Sequence, residues 1–99
     1  MRSPNLMNDA PGDNSRIIDG IEYHKADKVR LMLGRRRSDA MDILMDNKIA
    51  TIETIYTDYE DQVHLAVTLD DDPGQEMKRE LGLYLYFIPG EVQLIKGSQ

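Results

Sequence analysis

Five short stretches of the chain predict β-strands, most of them because apolar and polar residues alternate along them. The alternation has the period of two that a strand with one buried face requires. The first four stretches are rich in Val, Ile, Leu, Thr or aromatic residues, which suit a pleated surface. The predicted strands cover residues 28–33, 49–57, 62–69, 83–88 and 92–95.

The alternation also assigns faces within two of these strands. In the second strand it places Ala50, Ile52, Thr54 and Tyr56 on one face. In the fourth strand, residues 83–88 carry apolar or aromatic groups at nearly every position. That pattern predicts a strand covered on both sides.

Between the first two strands the period changes to that of a helix. Ser38 or Asp39 is a plausible N-cap, and Asn47 can adopt the left-handed conformation that ends a helix. Apolar residues at helical spacing between these two points predict a short amphipathic helix. They are Ala40, Met41, Leu44 and Met45.

Turn-forming residues separate the remaining strands. Residues 58–61 are polar and of hairpin length, and residues 89–91 form a tight turn. The block at residues 70–74, which contains three aspartates, Pro and Gly, is a strong stop. Residues 75–81 after it are compatible with one helical turn or a mobile loop.

The two ends of the chain lack this patterning. Residues 1–19 are rich in Pro, Gly, Asn and Ser and predict a disordered tail, in which Ile17 and Ile18 are the exception. Residues 20–96 then form the folded domain, and residues 97–99 a frayed C-terminus. Five short strands in so small a domain hide their edges best as a barrel. The predicted fold is therefore mainly β: a small five-stranded SH3-like barrel with one short helix, with an OB-like barrel or a helix-decorated open sheet as alternatives.

Composition limits the class of protein further. The chain has 99 residues, enough for one domain, and no cysteine. It therefore has no disulfides, thiolate metal sites or cysteine nucleophile. No apolar run approaches the roughly 20 residues that a membrane span needs, and the start of the chain lacks a secretory signal pattern. We accordingly expect a cytoplasmic protein without membrane insertion.

Charge is distributed unevenly along the chain. Residues 25–37 contain six basic side chains and one acid, giving +5, whereas the whole chain carries -6, so the remainder carries -11. Residues 58–76 contain seven acids and no Lys or Arg. The two segments either complement each other within the fold or face a partner.

Three consecutive arginines, Arg35, Arg36 and Arg37, lie before the predicted helix. Arginine recognises carboxylate and phosphate groups, and a helix N-terminus adds backbone N–H donors. The triplet is a candidate partner-binding site for acidic protein groups or nucleic acid. The alternative is that it pairs with acids of the same chain.

The acidic block Asp70, Asp71 and Asp72 is a second candidate partner-binding site. Consecutive aspartates point in different directions, which disfavours a calcium site. His24 and His64, the only histidines, are 40 residues apart and have no metal-ligand spacing. We therefore expect no bound metal, no cofactor and no catalytic set.

Tyrosines provide a third candidate. Tyr84 and Tyr86 lie in the fourth predicted strand, and surface tyrosines of SH3-like domains can form a groove for proline-rich ligands. The alternative is that these rings form cross-strand pairs.

The chain resembles an uncharacterised family of small bacterial proteins often encoded among accessory genes for nickel–iron hydrogenase assembly. The resemblance spans roughly residues 20–95 and is carried by residues 28–31, 34–42, 63–74 and 84–92. It names no catalytic or ligand site, so no functional residue follows from it. It implies an accessory role in contact with another protein, such as a hydrogenase subunit or maturation factor.

These observations predict a non-enzymatic protein-interaction module. The alternative function is a nucleic-acid-binding small barrel that uses residues 25–37, which the acidic net charge disfavours.

Overall fold

The computed structural model describes residues 12–33 and 44–95, and most of these residues lie in β-strands. A hairpin comes first, then a five-stranded sheet interrupted by a short helix and a 3₁₀ helix. The elements are β1 (Ser15–Ile18), β2 (Ile21–His24), β3 (Lys28–Leu31), β4 (Ile49–Thr57), β5 (Val63–Leu69), α1 (Gln75–Leu81), β6 (Leu85–Phe87), a 3₁₀ helix (Pro89–Glu91) and β7 (Val92–Leu94).

The five predicted strands are β3 to β7, and the mainly β class is confirmed. They form one antiparallel sheet in the order β6-β5-β4-β3-β7. The β4–β5 pair is the longest, and its register runs from Ala50 opposite Leu69 to Thr57 opposite Val63.

One face of the sheet, here called the inner face, carries the hydrophobic core. Val29, Leu31 and Leu33, at every second position from the start of β3, are fully buried. Paired inner-face residues such as Ile52 and Val67 bring the β4–β5 pair into the same core. Burial of these branched side chains supplies the main favourable free energy of folding.

A β-bulge at Glu53 corrects the predicted faces of β4. Ile52 pairs with Val67 and Thr54 with Ala66, so Glu53 is an extra residue without its own partner. The extra residue shifts the alternation by one position. Ile55 is therefore fully buried, whereas Thr54 and Tyr56 lie on the other face, the outer face, with partners Ala66 and His64.

Strand β6 lies at an edge of the sheet and is not covered on both sides. It pairs with β5 alone within the described residues. Phe87 reaches the core, but Leu83 and Leu85 are exposed. The prediction that this strand is covered on both sides is therefore wrong.

The sheet is strongly curled, because β6 and β7 lie at its opposite edges but only four residues join them. The edges of a flat five-stranded sheet are about 19 Å apart at the usual strand spacing. Five residue steps span at most about 18 Å when fully extended, and the 3₁₀ helix shortens this connection. No pairing of β6 with β7 closes the sheet within the described residues, so the closed barrel, SH3-like or OB-like, stays a prediction.

The hairpin β1–β2 was not predicted, and it takes residues from the segment assigned to the disordered tail. Its two-residue turn places Asp19 at φ 51° and Gly20 at φ 81°, as a type I′ turn requires. Asp13 pairs with Ile55 through two backbone hydrogen bonds, and Tyr23 is buried in the core. The chain before residue 20 therefore packs on the sheet from about Gly12 onward.

The helix predicted near residues 38–47 falls mostly on residues 34–43, which lie outside the described residues. Of its apolar stripe, Met45 packs against the core and Leu44 is exposed. Asn47 has the predicted left-handed backbone, with φ 70°. Across residues 12–33 and 44–95, every helix is too short or too polar to cross a bilayer.

Candidate interaction surface

Helix α1 is attached to the outer face of the sheet by polar side chains. None of its residues is buried, which is unusual for a helix that packs on a sheet. Gln75 and Arg79, one helical turn apart, point towards the sheet and donate hydrogen bonds to it. The helix is therefore held by directed contacts and not by an apolar stripe.

Glu53, the bulge residue of β4, receives the first of these contacts. Its carboxylate is 5% exposed and accepts from Arg79 Nε at 2.9 and 2.8 Å and from Thr68 Oγ1 at 2.7 Å. The hydrogen bond to Glu53 raises the pKa of the Arg79 guanidinium above its ordinary value. A buried carboxylate needs such partners because its desolvation is costly.

Asp70 is the second anchor of the helix. Its carboxylate accepts from Lys28 Nζ at 2.7 Å, Thr51 Oγ1 at 2.6 Å and Gln75 Nε2 at 2.9 Å. Partial burial alone would raise the pKa of Asp70, but the hydrogen bonds from Lys28, Thr51 and Gln75 outweigh it and hold the pKa below its ordinary value. Gln75 also donates to Thr68 at 3.1 Å, which joins this anchor to that at Glu53.

The acidic block predicted as a partner-binding site is engaged within the chain. Each of its three aspartates contacts a different lysine, so the carboxylates serve the fold. Asp70 contacts Lys28 at 2.7 Å, Asp71 contacts Lys48 at 2.6 Å, and Asp72 contacts Lys78. The hydrogen bond from Lys78 lowers the pKa of Asp72.

The basic segment is described only in part. Arg35, Arg36 and Arg37 lie outside the described residues. The Lys28 ammonium is held by Asp70 and Thr51. The opposite charges of the two segments thus complement each other at least at Lys28, and the nucleic-acid alternative stays a prediction.

The two candidate tyrosines lie in and beside β6 and are half-buried. The Tyr86 ring packs against Tyr56 with centroids 6.2 Å apart and an interplanar angle of 46°. The Tyr84 hydroxyl donates to the Arg79 carbonyl at 3.4 Å. Burial raises the pKa of both phenols. These rings therefore support β6 and the end of α1.

Two of the side chains that α1 turns to solvent are large and apolar. Met77 and Leu81 are one turn apart and are 56% and 63% exposed, and beyond Gly82 the side chains of Leu83 and Leu85 are 56% and 37% exposed. We call these four residues the α1–β6 surface. This surface was not predicted from the sequence, although the spacing of Met77 and Leu81 against Gln75 and Arg79 indicates two distinct helix faces.

A small cleft lies beside this surface. It has a volume of about 90 Å³ and is lined by Leu83 and Leu85, by the aliphatic residues Val67 and Leu69 of β5, and by Lys78 of α1. The cleft gives the α1–β6 surface a concave part into which an apolar side chain of a partner can fit.

The free charges next to the α1–β6 surface are acidic. Glu76 and Glu80 are exposed, and neither takes part in an ion pair among the described residues. The two cations of α1, Lys78 and Arg79, are already paired with Asp72 and Glu53. The surface thus combines apolar side chains with an excess of negative charge.

The pair formed by His64 and Asp58 has a structural role. His64 Nε2 lies 2.9 Å from Asp58 Oδ2, and Asp58 Oδ1 accepts from the backbone N–H groups of Glu60 and Gln62. The hydrogen bond with His64 lowers the pKa of Asp58. The pair therefore organises the β4–β5 loop. In the described part of the chain, no three His, Asp or Glu side chains are grouped as metal ligands would be.

Comparison with known proteins adds no relative to this description. No family model matches the chain, and neither a curated protein nor a solved structure shows significant similarity to it.

Proposed function

We propose that this protein is a non-enzymatic interaction module that binds another protein through the α1–β6 surface. The observation that carries the proposal is the orientation of α1, which directs Met77 and Leu81 to solvent while its polar side chains hold the sheet. Single exposed apolar residues are common, but Met77 and Leu81 are two large apolar side chains one turn apart on the same helix, and exposed apolar side chains grouped in this way mark interaction sites.

The anchoring of α1 supports this function. Two carboxylates on the sheet, Glu53 and Asp70, fix Arg79 and Gln75 at opposite ends of the helix. The apolar side chains are thereby held in place before a partner arrives, which reduces the entropy lost on binding. The proposed binding face is therefore beside the acidic block, whose carboxylates are already occupied, and not on it.

The strand order supports an SH3-like barrel as the scaffold. In this sheet, as in an SH3-like barrel, a 3₁₀ helix precedes the last strand, and the last strand lies next to the first strand of the sheet. The resemblance to the hydrogenase-associated family supplies the class of partner, a hydrogenase subunit or maturation factor. The proposed role is to contact such a protein during assembly.

Site-specific photocrosslinking in the native host tests the function. The photoreactive residue p-benzoylphenylalanine replaces Leu81 in one variant and Tyr59, which is 85% exposed in the β4–β5 loop, in the control. We expect a discrete crosslinked protein at position 81, identified by mass spectrometry as a hydrogenase subunit or maturation factor, and none at position 59. Equal crosslinking at both positions, or no crosslink at position 81, would contradict the proposed function.

A further inference from the structure

We infer that the partner segment bound by the α1–β6 surface is amphipathic and basic, with lysine or arginine beside its apolar residues. This inference rests on the proposed function and specifies the chemistry of the partner. It is carried by the charges that surround the four apolar side chains.

The charged side chains of α1 are unequally paired. Lys78 lies against Asp72 and Arg79 against Glu53, so each cation is balanced by a carboxylate of the same chain. Glu76 and Glu80 form no ion pair among the described residues, although Glu76 interacts electrostatically with Arg79, and each is next in sequence to an apolar residue of the surface. A partner that buries Met77 and Leu81 must bring its own groups close to these carboxylates. Cationic groups there gain attraction, whereas acidic groups would be repelled.

The same geometry disfavours a second copy of this chain. In a two-fold dimer the same patch meets itself, so residues of one copy face the same set in the other. Glu76 and Glu80 of one protomer would then meet a surface that carries the same two acids. The net charge of -6 on each chain adds long-range repulsion.

A pair of defined peptides tests the inference. One is a fluorescent amphipathic helix of leucine and lysine, and the other has the same leucines with glutamate in place of lysine. Binding to the full-length protein is measured by fluorescence anisotropy at low and physiological salt. We expect the leucine–lysine peptide to bind more tightly than the leucine–glutamate peptide, by about tenfold or more, and its affinity to fall with added salt.

Variants then locate the binding site. Met77→Ser/Leu81→Ser removes the apolar contact, and Glu76→Gln/Glu80→Gln removes the charges. We expect each to weaken the leucine–lysine peptide by about tenfold, the size of effect expected at central contacts. The matched control is Tyr59→Ser/Glu60→Gln, which removes one exposed aromatic residue and one exposed acid on the β4–β5 loop and should leave the affinity unchanged. Circular dichroism confirms that each variant is folded.

Three outcomes would overturn the inference. The control could weaken the peptide as much as the α1 variants do, in which case the attraction is that of the whole acidic protein. The two peptides could bind equally, in which case charge does not select the partner. Sedimentation could reveal a dimer that Leu81→Ser dissociates, in which case a second copy occupies the surface. The photocrosslinking experiment at position 81 tests the proposed function independently of these peptide measurements.

Discussion

Arg79 of helix α1 contacts Glu53, the bulge residue of β4, through its Nε atom. Arg79 Nε lies 2.9 Å from Oε1 and 2.8 Å from Oε2 of Glu53, so it donates to both carboxylate oxygens. The carboxylate is almost fully buried, whereas the arginine is exposed. The contact is therefore more important for the Glu53 carboxylate, which cannot be hydrated, than for the Arg79 guanidinium.

Replacing Arg79 by alanine tests this asymmetry. Arg79→Ala leaves the buried Glu53 carboxylate with Thr68 as its side-chain donor, so we expect a lower free energy of unfolding in urea. Glu80→Ala, on the exposed side of the same helix, should have almost no effect. Adding Glu53→Gln to Arg79→Ala removes the unpaired charge and should recover part of the loss. Equal stability of the Arg79 and Glu80 variants would contradict this account.

Acid should destabilise the fold through three aspartates. Hydrogen bonds hold the pKa values of Asp58 and Asp72 below their ordinary range, and for Asp70 such bonds outweigh an opposing effect of burial. A carboxyl whose pKa is lower in the folded state adds stability above the unfolded pKa of about 3.9, and this is lost as the pH falls through the folded pKa. We therefore expect the free energy of unfolding to decrease below about pH 4.

Asp70→Asn isolates one of these contributions. The variant should be less stable than the wild type at neutral pH, and its free energy of unfolding should fall less between about pH 5 and pH 2. Urea titrations at several pH values measure both quantities. An identical pH dependence in the two proteins would show that Asp70 does not contribute.

Two glycines should respond differently to alanine. Gly82 ends α1 at φ 71°, a left-handed conformation that costs alanine about 1–2 kcal/mol. Gly74, at the start of the helix, has φ -92°, and a Cβ there makes contacts no closer than 3.4 Å. We expect Gly82→Ala to lower the free energy of unfolding by about 1 kcal/mol and Gly74→Ala to change it by less. Thermal unfolding of the two variants provides the comparison.

Replacing a core leucine and a leucine of the α1–β6 surface by alanine should have very different effects on stability. Leu31 is fully buried, so Leu31→Ala should cost about 2–5 kcal/mol of stability. Leu81 is 63% exposed, and Leu81→Ala should change stability by no more than about 0.5 kcal/mol. A large loss of stability from Leu81→Ala would mean that this side chain serves the fold and not a partner.

Much of the sheet could be predicted from alternation, because the residues that point into the core recur at every second position in strands such as β3 and β5. The reversal of faces within β4 could not, since a single extra residue at Glu53 leaves no signal in composition. The hairpin β1–β2 had a local signal, the Asp19-Gly20 dipeptide between isoleucines, which the polar composition of the surrounding segment obscured.

The candidate site was harder to predict than the fold. A cluster of charges in a sequence does not reveal which groups it contacts in the fold. Asp70, Asp71 and Asp72 pair with lysines that lie up to 42 residues away in the sequence. The helix after them was weakly patterned because its sheet-facing residues are polar. Only the sheet shows that Gln75 and Arg79 point inward and that Met77 and Leu81 point outward.

A helix that contributes no side chain to the core has a consequence for how this protein can change. Substitutions at positions 76, 77, 80 and 81 do not change the packing of the core. The fold therefore tolerates natural variation at these positions, and only binding to the partner restricts it. The helix is in this sense an exchangeable recognition element on a constant scaffold. Related chains with different partners should differ most at these four positions and least at Glu53, Asp70, Gln75 and Arg79.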